Sequence, residues 1–243
     1  MRKSKNFLSI FMGIFLLVSS TTTVMAATYP SDILDLTNWK ITLPIAGSNG
    51  NAMEVKQPAL DSYEHSSYFV DSGSGVRFKA HCGGATTSGS SYPRSELREM
   101  KNNGKDKASW STTSGTHIME IRQKITHLPV VKPHVVVGQI HDSNDDVIVI
   151  RLEGNKLFVD ENGDDGPVLT NNYQLGTIFK VKFVAKNGGV QIYYNDNYVY
   201  TYKVSTSGCY FKAGMYTQSN TSKGDSYYAY GCCIIYDLNV THY

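Results

Sequence analysis

Short runs of alternating apolar and polar residues occupy the chain after its first 26 residues, and this pattern limits the possible fold more than any other feature. Residues 116–126 are one example, with Met119 and Ile121 on one side of an extended chain and Glu120 and Arg122 on the other. Turns rich in Gly, Asn, Asp and Ser separate the runs, and sustained helical periodicity is nearly absent. The sequence therefore predicts an all-β sandwich of two packed antiparallel sheets, built from roughly a dozen strands.

Turn residues locate individual strands within this pattern. Asn187-Gly188-Gly189 stands between two alternating runs and predicts a hairpin. Pro44 is expected to end the strand that opens the domain, because proline cannot donate to a sheet ladder. Loops are expected to shape the ends of any groove, and the sequence places them at residues 47–51, 81–91 and 162–166.

The first 26 residues have the features of a secretory signal. A basic start precedes an apolar run at residues 7–18, and small residues then lead to a cleavage site after Ala26 or Ala27. The apolar run is shorter than the roughly 20 residues that a spanning helix needs, so a membrane anchor is the less favoured alternative. We therefore expect a secreted, extracellular protein in which residues 1–26 are the signal and residues 27–243 form one domain.

The chain without this signal is close to electrically neutral. The full sequence has 23 Lys and Arg residues against 21 Asp and Glu residues, and Arg2, Lys3 and Lys5 lie in the predicted signal. This balance argues against binding of nucleic acids or membranes through overall charge. An anionic ligand would have to be attracted by a local cluster of Arg, Lys and His.

Four cysteines follow the predicted signal, at Cys82, Cys209, Cys232 and Cys233. Export makes a disulfide possible, and four cysteines allow three complete connectivities. The adjacent pair would point to opposite faces of a strand, so at least one thiol is expected to stay free. The spacing of the four matches no metal-ligand pattern.

Three predicted strands carry unusually many polar side chains on one face. In the first, Arg94, Glu96 and Arg98 alternate with Ser95 and Leu97, so two guanidiniums and one carboxylate share a face. Glu96 is expected to hold both arginines while they face a ligand carboxylate. An exposed edge strand with a ladder of charges is the alternative interpretation.

The second polar strand follows a buried run of valines. Gln139 and His141 share one face, while Gly138 and Ile140 point to the core. An amide and an imidazole at this spacing, on a strand that is otherwise apolar, indicate a role in binding or catalysis. A core histidine bonded to a backbone group is the alternative.

The third polar strand is Tyr210–Gln218. Lys212, Gly214 and Tyr216 share a face with the two end residues, and the opposite face is an apolar core face. Gly214 is expected to leave room for a ligand, so that this face forms the floor of a polar binding groove. A tyrosine stripe that packs on a neighbouring strand is the alternative.

These segments resemble the three signature motifs of the alginate lyases of polysaccharide lyase family 7, in the order found in that family. The motifs are Arg94–Arg98, Gln139–His141 and Tyr210–Gln218, and residues 34–44 resemble the usual start of the family's domain. The resemblance implies a single β-jelly-roll catalytic domain, a sandwich of two antiparallel sheets with a substrate groove on the concave sheet. It also implies cleavage of a polyuronate by β-elimination, endo or exo, generally without a required metal.

The resemblance also implies roles for individual residues. The expected catalytic set is Arg94, Gln139, His141 and Tyr216. The residues expected to bind substrate are Glu96, Arg98, Lys212 and Gln218. The expected partner is alginate, an anionic polysaccharide, and we expect a monomer that needs no metal or cofactor and binds neither nucleic acid nor membrane.

β-Elimination would need these residue types. It removes the C5 proton of a 4-linked uronate and expels the oxygen at C4, and the neighbouring ionised carboxylate makes that proton a weak acid. Arg94 and Gln139 would stabilise the charge that develops on this carboxylate. A phenol is protonated near neutral pH, so Tyr216 would donate to the leaving oxygen. His141 would be the base for guluronate, whose reacting groups are anti, and Tyr216 would serve as base and acid for mannuronate, where they are syn.

Several alternatives stay open at this point. Isoleucine in the middle of the second motif, here Ile140, is associated in the family with guluronate-containing blocks, so we favour guluronate or mixed blocks as substrate. A lyase for another polyuronate, such as glucuronan, would use the same chemistry. A non-catalytic polyuronate-binding module is the main alternative hypothesis that does not involve an enzyme. A glycoside hydrolase is disfavoured, because it needs two opposed carboxylates and Glu96 is the only acid in the motifs.

Overall fold

The computed structural model describes residues 28–243 of the 243-residue chain, so the predicted signal lies outside the described residues. Three short 3-10 helices, at Pro30–Asp32, Ala59–Ser62 and Thr221–Lys223, accompany the strands in this part of the chain. The strands are β1 (Trp39–Ala46), β2 (Ala52–Val55), β3 (Phe69–Asp71), β4 (Val76–His81), β5 (Arg94–Lys101), β6 (Asp106–Lys107), β7 (Trp110–Ser111), β8 (Thr116–His127), β9 (His134–His141), β10 (Asp146–Glu153), β11 (Lys156–Glu161), β12 (Asp164–Thr170), β13 (Ile178–Lys186), β14 (Gly189–Tyr194), β15 (Asn197–Lys203), β16 (Ser207–Thr217) and β17 (Tyr230–His242).

The strands form two antiparallel sheets. A 10-stranded sheet has the order β12-β11-β10-β9-β16-β5-β1-β2, with β6 paired to β5 and β7 to β16. A 7-stranded sheet has the order β15-β14-β13-β8-β17-β4-β3. The prediction of an all-β jelly-roll sandwich is thereby confirmed, although the strands outnumber the expected dozen because several are only two to four residues long. Within residues 28–243, no helix has the length and apolar character needed to cross a membrane.

The apolar faces of the two sheets meet in one core. In β16 the predicted core face is fully buried, as Phe211, Ala213 and Met215 all have no exposed surface. Met119 and Ile121 of β8 belong to the same buried cluster from the opposite sheet. Alternation in the sequence therefore identified the inward face of these strands correctly, because burial of one face of each sheet drives the packing.

The register of three neighbouring strands brings the predicted motifs side by side. β16 lies between β9 and β5 in the 10-stranded sheet. Lys212 stands opposite Arg98 on one side and Gln139 on the other. Tyr216 stands opposite Arg94 of β5. The motifs are distant in sequence and adjacent in space, as the prediction of a shared groove required.

Gly214 has a different role from the one predicted. Its φ of 135° is a backbone conformation that other residues rarely adopt. A Cβ there would lie 2.6 Å from the carbonyl oxygen of Ser95 and 3.0 Å from the buried ring of Phe78. The register between β16 and β9 also shifts across this segment, which marks a β-bulge. The missing side chain thus allows strands and sheets to approach, and the prediction of an open gap for a ligand is wrong.

Two further predictions about local structure had different outcomes. The hairpin at Asn187-Gly188 is confirmed, since Ala185 pairs with Val190 and both turn residues have positive φ values. Pro44 does not end its strand, because β1 continues to Ala46. The pairing of β1 with β2 shifts register beyond Leu43, and a bulge of this kind tolerates proline.

All four cysteines are free thiols and all are buried. Cys209 and Cys233 have no exposed surface, and Cys82 and Cys232 are nearly covered. Burial raises the pKa of both Cys82 and Cys209 to about 12. The disulfide that export would permit is therefore not formed in this structure.

A polar network joins the two sheets at one end of the core. The buried carboxylate of Glu99 in β5 accepts hydrogen bonds from the indole of Trp110 at 3.0 Å and the backbone amide of Phe211 at 2.8 Å. Its other oxygen lies 2.7 Å from Nε2 of His242 in β17, and Nδ1 of that ring lies 2.8 Å from Nδ1 of His117 in β8. One ring must donate to the other, so both histidines cannot be doubly protonated together.

Candidate active site

The carboxylate of Glu96 is the centre of the predicted polar face. Arg94 donates to Oε2 at 3.0 Å, and the ammonium of Lys212 lies 2.6 Å from the same oxygen. The side-chain amide of Gln139 donates to Oε1 at 2.5 Å. All four side chains are at least nine-tenths buried. One carboxylate therefore fixes three donors, one from each of the three motifs.

The ionisation of this cluster follows from burial and mutual charge. Burial acts to raise the pKa of Glu96, but the charges of Lys212 and Arg94 and the hydrogen bonds to the carboxylate outweigh it and lower the pKa. Burial, together with the charge of Arg94, lowers the pKa of Lys212 to about 8 despite the nearby carboxylate. Two cations share one anion here, so the cluster keeps excess positive charge that suits an anionic ligand.

Tyr216 lies against the same cluster. The guanidinium of Arg94 stacks on its ring, with Cζ 3.8 Å from the ring centroid. The phenol oxygen forms a 2.8 Å hydrogen bond with the hydroxyl of Ser90, a residue of the predicted 81–91 loop. The side chain is only half-buried. A cation on its face and a hydroxyl at its oxygen thus hold the phenol in place.

His141 has a defined tautomer in the groove. Nδ1 lies 2.7 Å from the backbone carbonyl of Asp142, which can only accept, so this nitrogen carries a proton. The ring stacks on Tyr210 with centroids 5.2 Å apart. Burial lowers the pKa of His141, and the charges of Lys212 and Arg94 act in the same direction. The neutral ring therefore leaves Nε2 as an available base.

Arg98 is not held as predicted. Its guanidinium donates to the backbone carbonyls of Glu99 at 2.5 Å and Ala108 at 3.2 Å, and it stacks 4.0 Å above the ring of Tyr210. The expectation that Glu96 holds both arginines is therefore wrong, because Lys212 of the neighbouring strand occupies the second position on that carboxylate. Arg98 still lines the same groove.

Gln218 lies just beyond the end of β16. Its backbone amide donates to the carbonyl of His134 at 2.9 Å, and its side chain is half-exposed. Like Glu96, Gln139 and Tyr216, it is not among the residues that line the main groove. Arg98 and Glu96 of β5 stand opposite Lys212 and Gly214, whereas Gln218 lies past the end of β16. It is therefore the predicted substrate-binding residue most distant from the others in the strand register.

The groove over these strands is a cavity of about 580 Å³. Arg94, Arg98, His141, Tyr210 and Lys212 line it, as expected from the motifs. Residues that the sequence analysis did not assign to the site also line it, among them Lys40, Thr42, Glu54 and the turn at 142–145. The sequence of that turn, rich in Asp, Asn and Ser, is typical of a solvated turn, so nothing in it indicated a place in the groove.

The predicted loops differ in their relation to the groove. Thr87 and Gly89 of the 81–91 loop line it, and Ser90 reaches Tyr216. The 47–51 loop borders an adjoining cavity of about 550 Å³. The 162–166 segment does not line the main groove. Among residues 28–243, no cluster of three or more His, Cys, Asp or Glu side chains is arranged to hold a metal ion.

Comparison with known proteins agrees with this geometry. The chain matches the family model described as alginate lyase over residues 34–242. It is 67% identical to the alginate lyase AlgAT5 from polysaccharide lyase family 7, with a TM-score of 0.86 over 89% of this chain and 100% of that one. It is 49% identical to the alginate lyase from Corynebacterium sp., with a TM-score of 0.86 over 89% and 99% of the two chains.

A more distant relative has been solved with oligosaccharides. The family 7 alginate lyase A1-II′ is 28% identical, with a TM-score of 0.77 over 89% of this chain and 100% of that one, as a tyrosine-to-phenylalanine variant in complex with the product GGG. A variant that also carries a histidine-to-asparagine change was solved with the substrate GGMG. The match over nearly the whole described domain, together with the three motifs on one sheet, shows that this chain belongs to the alginate lyases of polysaccharide lyase family 7.

Proposed function

We propose that this enzyme cleaves alginate by β-elimination and leaves a 4,5-unsaturated uronate at the new end. The observation that carries the proposal is the Glu96 cluster, which fixes Arg94 and Gln139. Arg94 stacks on Tyr216 and lines the same groove as a neutral His141. These are the donors and the bases that the reaction needs.

The first requirement is to make the C5 proton removable. The substrate carboxylate next to C5 takes up negative charge as that proton leaves, and donors preorganised around it lower the barrier. Arg94 uses one nitrogen for Glu96, and its buried Nε has no partner within residues 28–243. Gln139 has a second amide hydrogen beyond the one donated to Glu96. Arg94 lines the groove and therefore has capacity for the substrate, whereas Gln139 is 1% exposed and reaches the substrate only if its covering neighbours move.

The second requirement is a base and an acid. A base takes the C5 proton, the electron pair of that bond forms the C4–C5 double bond, and the C4–O bond breaks. A proton from Tyr216 completes the leaving hydroxyl. We assign Nε2 of His141 as the base for guluronate. For mannuronate, we assign Tyr216 as a phenolate that takes the C5 proton and then passes the same proton to the leaving oxygen.

The A1-II′ complexes support this assignment by analogy. Capture of a product in a tyrosine variant, and of a substrate in a histidine and tyrosine variant, fits one tyrosine and one histidine in the chemistry of that enzyme. GGG and GGMG were bound there, and we propose guluronate-containing or mixed blocks as the substrate here. Ile140 is fully buried in the core, so any influence on this preference acts through the position of its neighbours.

We also propose that the enzyme is secreted as a monomer for alginate catabolism, with residues 1–26 removed and residues 27–243 acting as one catalytic domain without a metal. The basic and apolar start of the sequence supports export. N-terminal sequencing of the protein from the culture medium tests this, with a start at Ala27 or Thr28 expected. Size-exclusion chromatography with light scattering tests the monomer.

The Tyr216→Phe variant tests the proposed chemistry. Wild type should produce the ultraviolet absorbance of the unsaturated product from alginate, and the variant should lose turnover by at least about a hundredfold while it still binds alginate. An inactive wild type that binds alginate, with an unaffected variant, would support a non-catalytic module instead. Activity on glucuronan alone would exclude alginate as the substrate.

A further inference from the structure

Lys132 is a cation without an acidic partner near Tyr216. Its ammonium donates to the hydroxyl of Tyr92 at 3.3 Å and lies 5.1 Å from the centroid of that ring. The side chain is half-buried. No carboxylate lies within ion-pair distance of it in the part of the chain that the structure describes. A partly desolvated ammonium without a counter-charge favours an anionic ligand.

Glu153 of β10, which stands opposite His134, is already engaged elsewhere. The carboxylate of Glu153 contacts Nδ1 of His134 at 3.0 Å and the guanidinium of Arg151 at 2.7 Å. The charge of Lys132 lowers the pKa of His134, although burial of that ring is the larger cause. Glu153 pairs with His134 and Arg151, and the carboxylate of Asp225 is taken up by backbone amides, so neither acid pairs with the ammonium of Lys132.

Strand register places Lys132 on the far side of Tyr216 from the Glu96 cluster. Along β16, Lys212 comes first and Tyr216 second. The backbone amide of the next residue, Thr217, donates to the carbonyl of Pro93. Gln218 then bonds the carbonyl of His134. Tyr92 directly precedes Pro93, and Lys132 comes two residues before His134, so the chain places both beyond the proposed proton donor.

Tyr92 connects Lys132 directly to Tyr216. The two tyrosine rings meet edge to face with centroids 6.4 Å apart. The backbone amide of Tyr92 donates at 3.0 Å to Ser90, whose hydroxyl bonds the phenol of Tyr216. A ligand group at Lys132 would therefore be adjacent to the reaction centre.

The backbone that carries Lys132 is fixed by a buried acid. The carboxylate of Asp225, only 3% exposed, accepts the backbone amides of Val130, Val131 and Lys132 at 2.8, 2.8 and 3.0 Å. It also accepts the hydroxyl of Ser219 at 2.5 Å. Three consecutive amides on one carboxylate hold the segment in a single conformation, so Lys132 is presented on a preorganised backbone.

We propose that Lys132 and Tyr92 form a subsite for the carboxylate of a uronate next to the one whose C5 proton is removed. This inference rests on the proposed alginate-lyase reaction and adds a second point of charge recognition to it. The ammonium would bind the carboxylate and the tyrosine hydroxyl would orient it. The half-exposed Gln218 lies at the same end of β16 and is available to a sugar bound there.

The test uses Lys132→Gln, which leaves a polar side chain one atom shorter and removes its charge. Steady-state kinetics are measured on alginate oligosaccharides of increasing length. For chains long enough to reach the subsite, KM should rise about tenfold with kcat changed less than about twofold, the effect of one lost charge-assisted hydrogen bond. For shorter chains the variant should match wild type, and Lys132→Arg should retain most of the affinity.

The matched control is Lys203→Gln, an exposed lysine of β15 in the 7-stranded sheet, which should leave KM unchanged at every length. Equal KM values for wild type and Lys132→Gln on all chains would overturn the subsite and leave the proposed reaction intact. A loss of kcat that is the same for all lengths would also overturn it. A wild type that forms no unsaturated product from alginate would overturn the proposed function itself.

Discussion

Glu96 shows how one buried carboxylate can position several donors of a site. Its side chain is 1% exposed and lies between two cations and an amide. Burial of an ionised carboxylate without such partners would be strongly unfavourable. Removing one partner of a buried ion pair is costly because the remaining charge is left without compensation. The arrangement therefore makes the position of Arg94 and Gln139 depend on a single carboxylate.

We expect Glu96→Gln to lower both stability and activity. Arg94 and Lys212 would lose their shared counter-charge, so the free energy of unfolding should fall by about 3 kcal/mol in urea titrations. The value of kcat should fall as well, since both donors lose their orientation. Glu120→Gln is the control, because that half-exposed acid only contacts Lys180 and Lys182 at 3.8 and 3.6 Å and should change stability by less than about 1 kcal/mol.

Ser90 is one of the site residues that the motifs did not identify. Its hydroxyl is the hydrogen-bond partner of the Tyr216 phenol, although it belongs to a loop that is distant in sequence. Ser90→Ala should lower kcat by about tenfold with little change in KM, because the phenol loses its orientation while the groove keeps its charges. Ser90→Thr should restore most of kcat. An unchanged kcat in the alanine variant would contradict this role.

At the level of elements, β16 combines an inward face for packing with an outward face for the site. The alternation of Phe211, Ala213 and Met215 predicted the inward face, because burial of one sheet face is a local pattern with a period of two. The bulge at Gly214 was not predictable from that pattern. It depends on Ser95 of the next strand and Phe78 of the opposite sheet, and their approach is a tertiary property.

Gly214→Ala should destabilise the fold by about 2 kcal/mol or more, since a Cβ would overlap a backbone carbonyl and the positive φ would be strained. Thermal or urea unfolding measures this directly. Gly89→Ala is a suitable control for stability, because a Cβ at that glycine meets no atom within 4 Å. Equal stabilities of the two variants would show that the bulge tolerates a side chain.

The same distinction between local and tertiary information explains the outcome for the site. The motifs brought Arg94, Gln139, His141 and Tyr216 to one sheet as predicted, because strand alternation fixes which side chains share a face. Spacing along β5 correctly predicted Arg94 as a partner of Glu96, but the second partner is Lys212 of the next strand and not Arg98. Contacts between strands depend on register, which a single sequence does not supply.

For the whole molecule, the two sheets are joined at one end by titratable groups. Glu99, His242 and His117 link β5, β17 and β8 through short contacts. Burial lowers the pKa of His117, so the folded state binds fewer protons than the unfolded state in acid. Stability supplied by the neutral ring is complete above the ordinary histidine pKa of about 6.5 and declines as pH falls through the lowered value.

We therefore expect the free energy of unfolding to fall between pH 7 and pH 5.5, as measured by urea titration at each pH. His117→Gln should reduce this dependence, because the amide does not titrate. It should not abolish the dependence, since burial also lowers the pKa of His134 and His141. A slope that is the same in the variant and wild type would show that the contact between the two histidines does not couple the sheets to pH.

The four buried thiols make the unfolding of this sandwich observable without an added label. Their raised pKa values keep them protonated and unreactive while the fold is closed, even in oxidising surroundings. Cys209 belongs to the 10-stranded sheet and Cys233 to the 7-stranded sheet. The order in which an alkylating reagent modifies these two thiols would therefore report which sheet opens first. The time for which the protein resists oxidation would depend on how rarely either sheet opens.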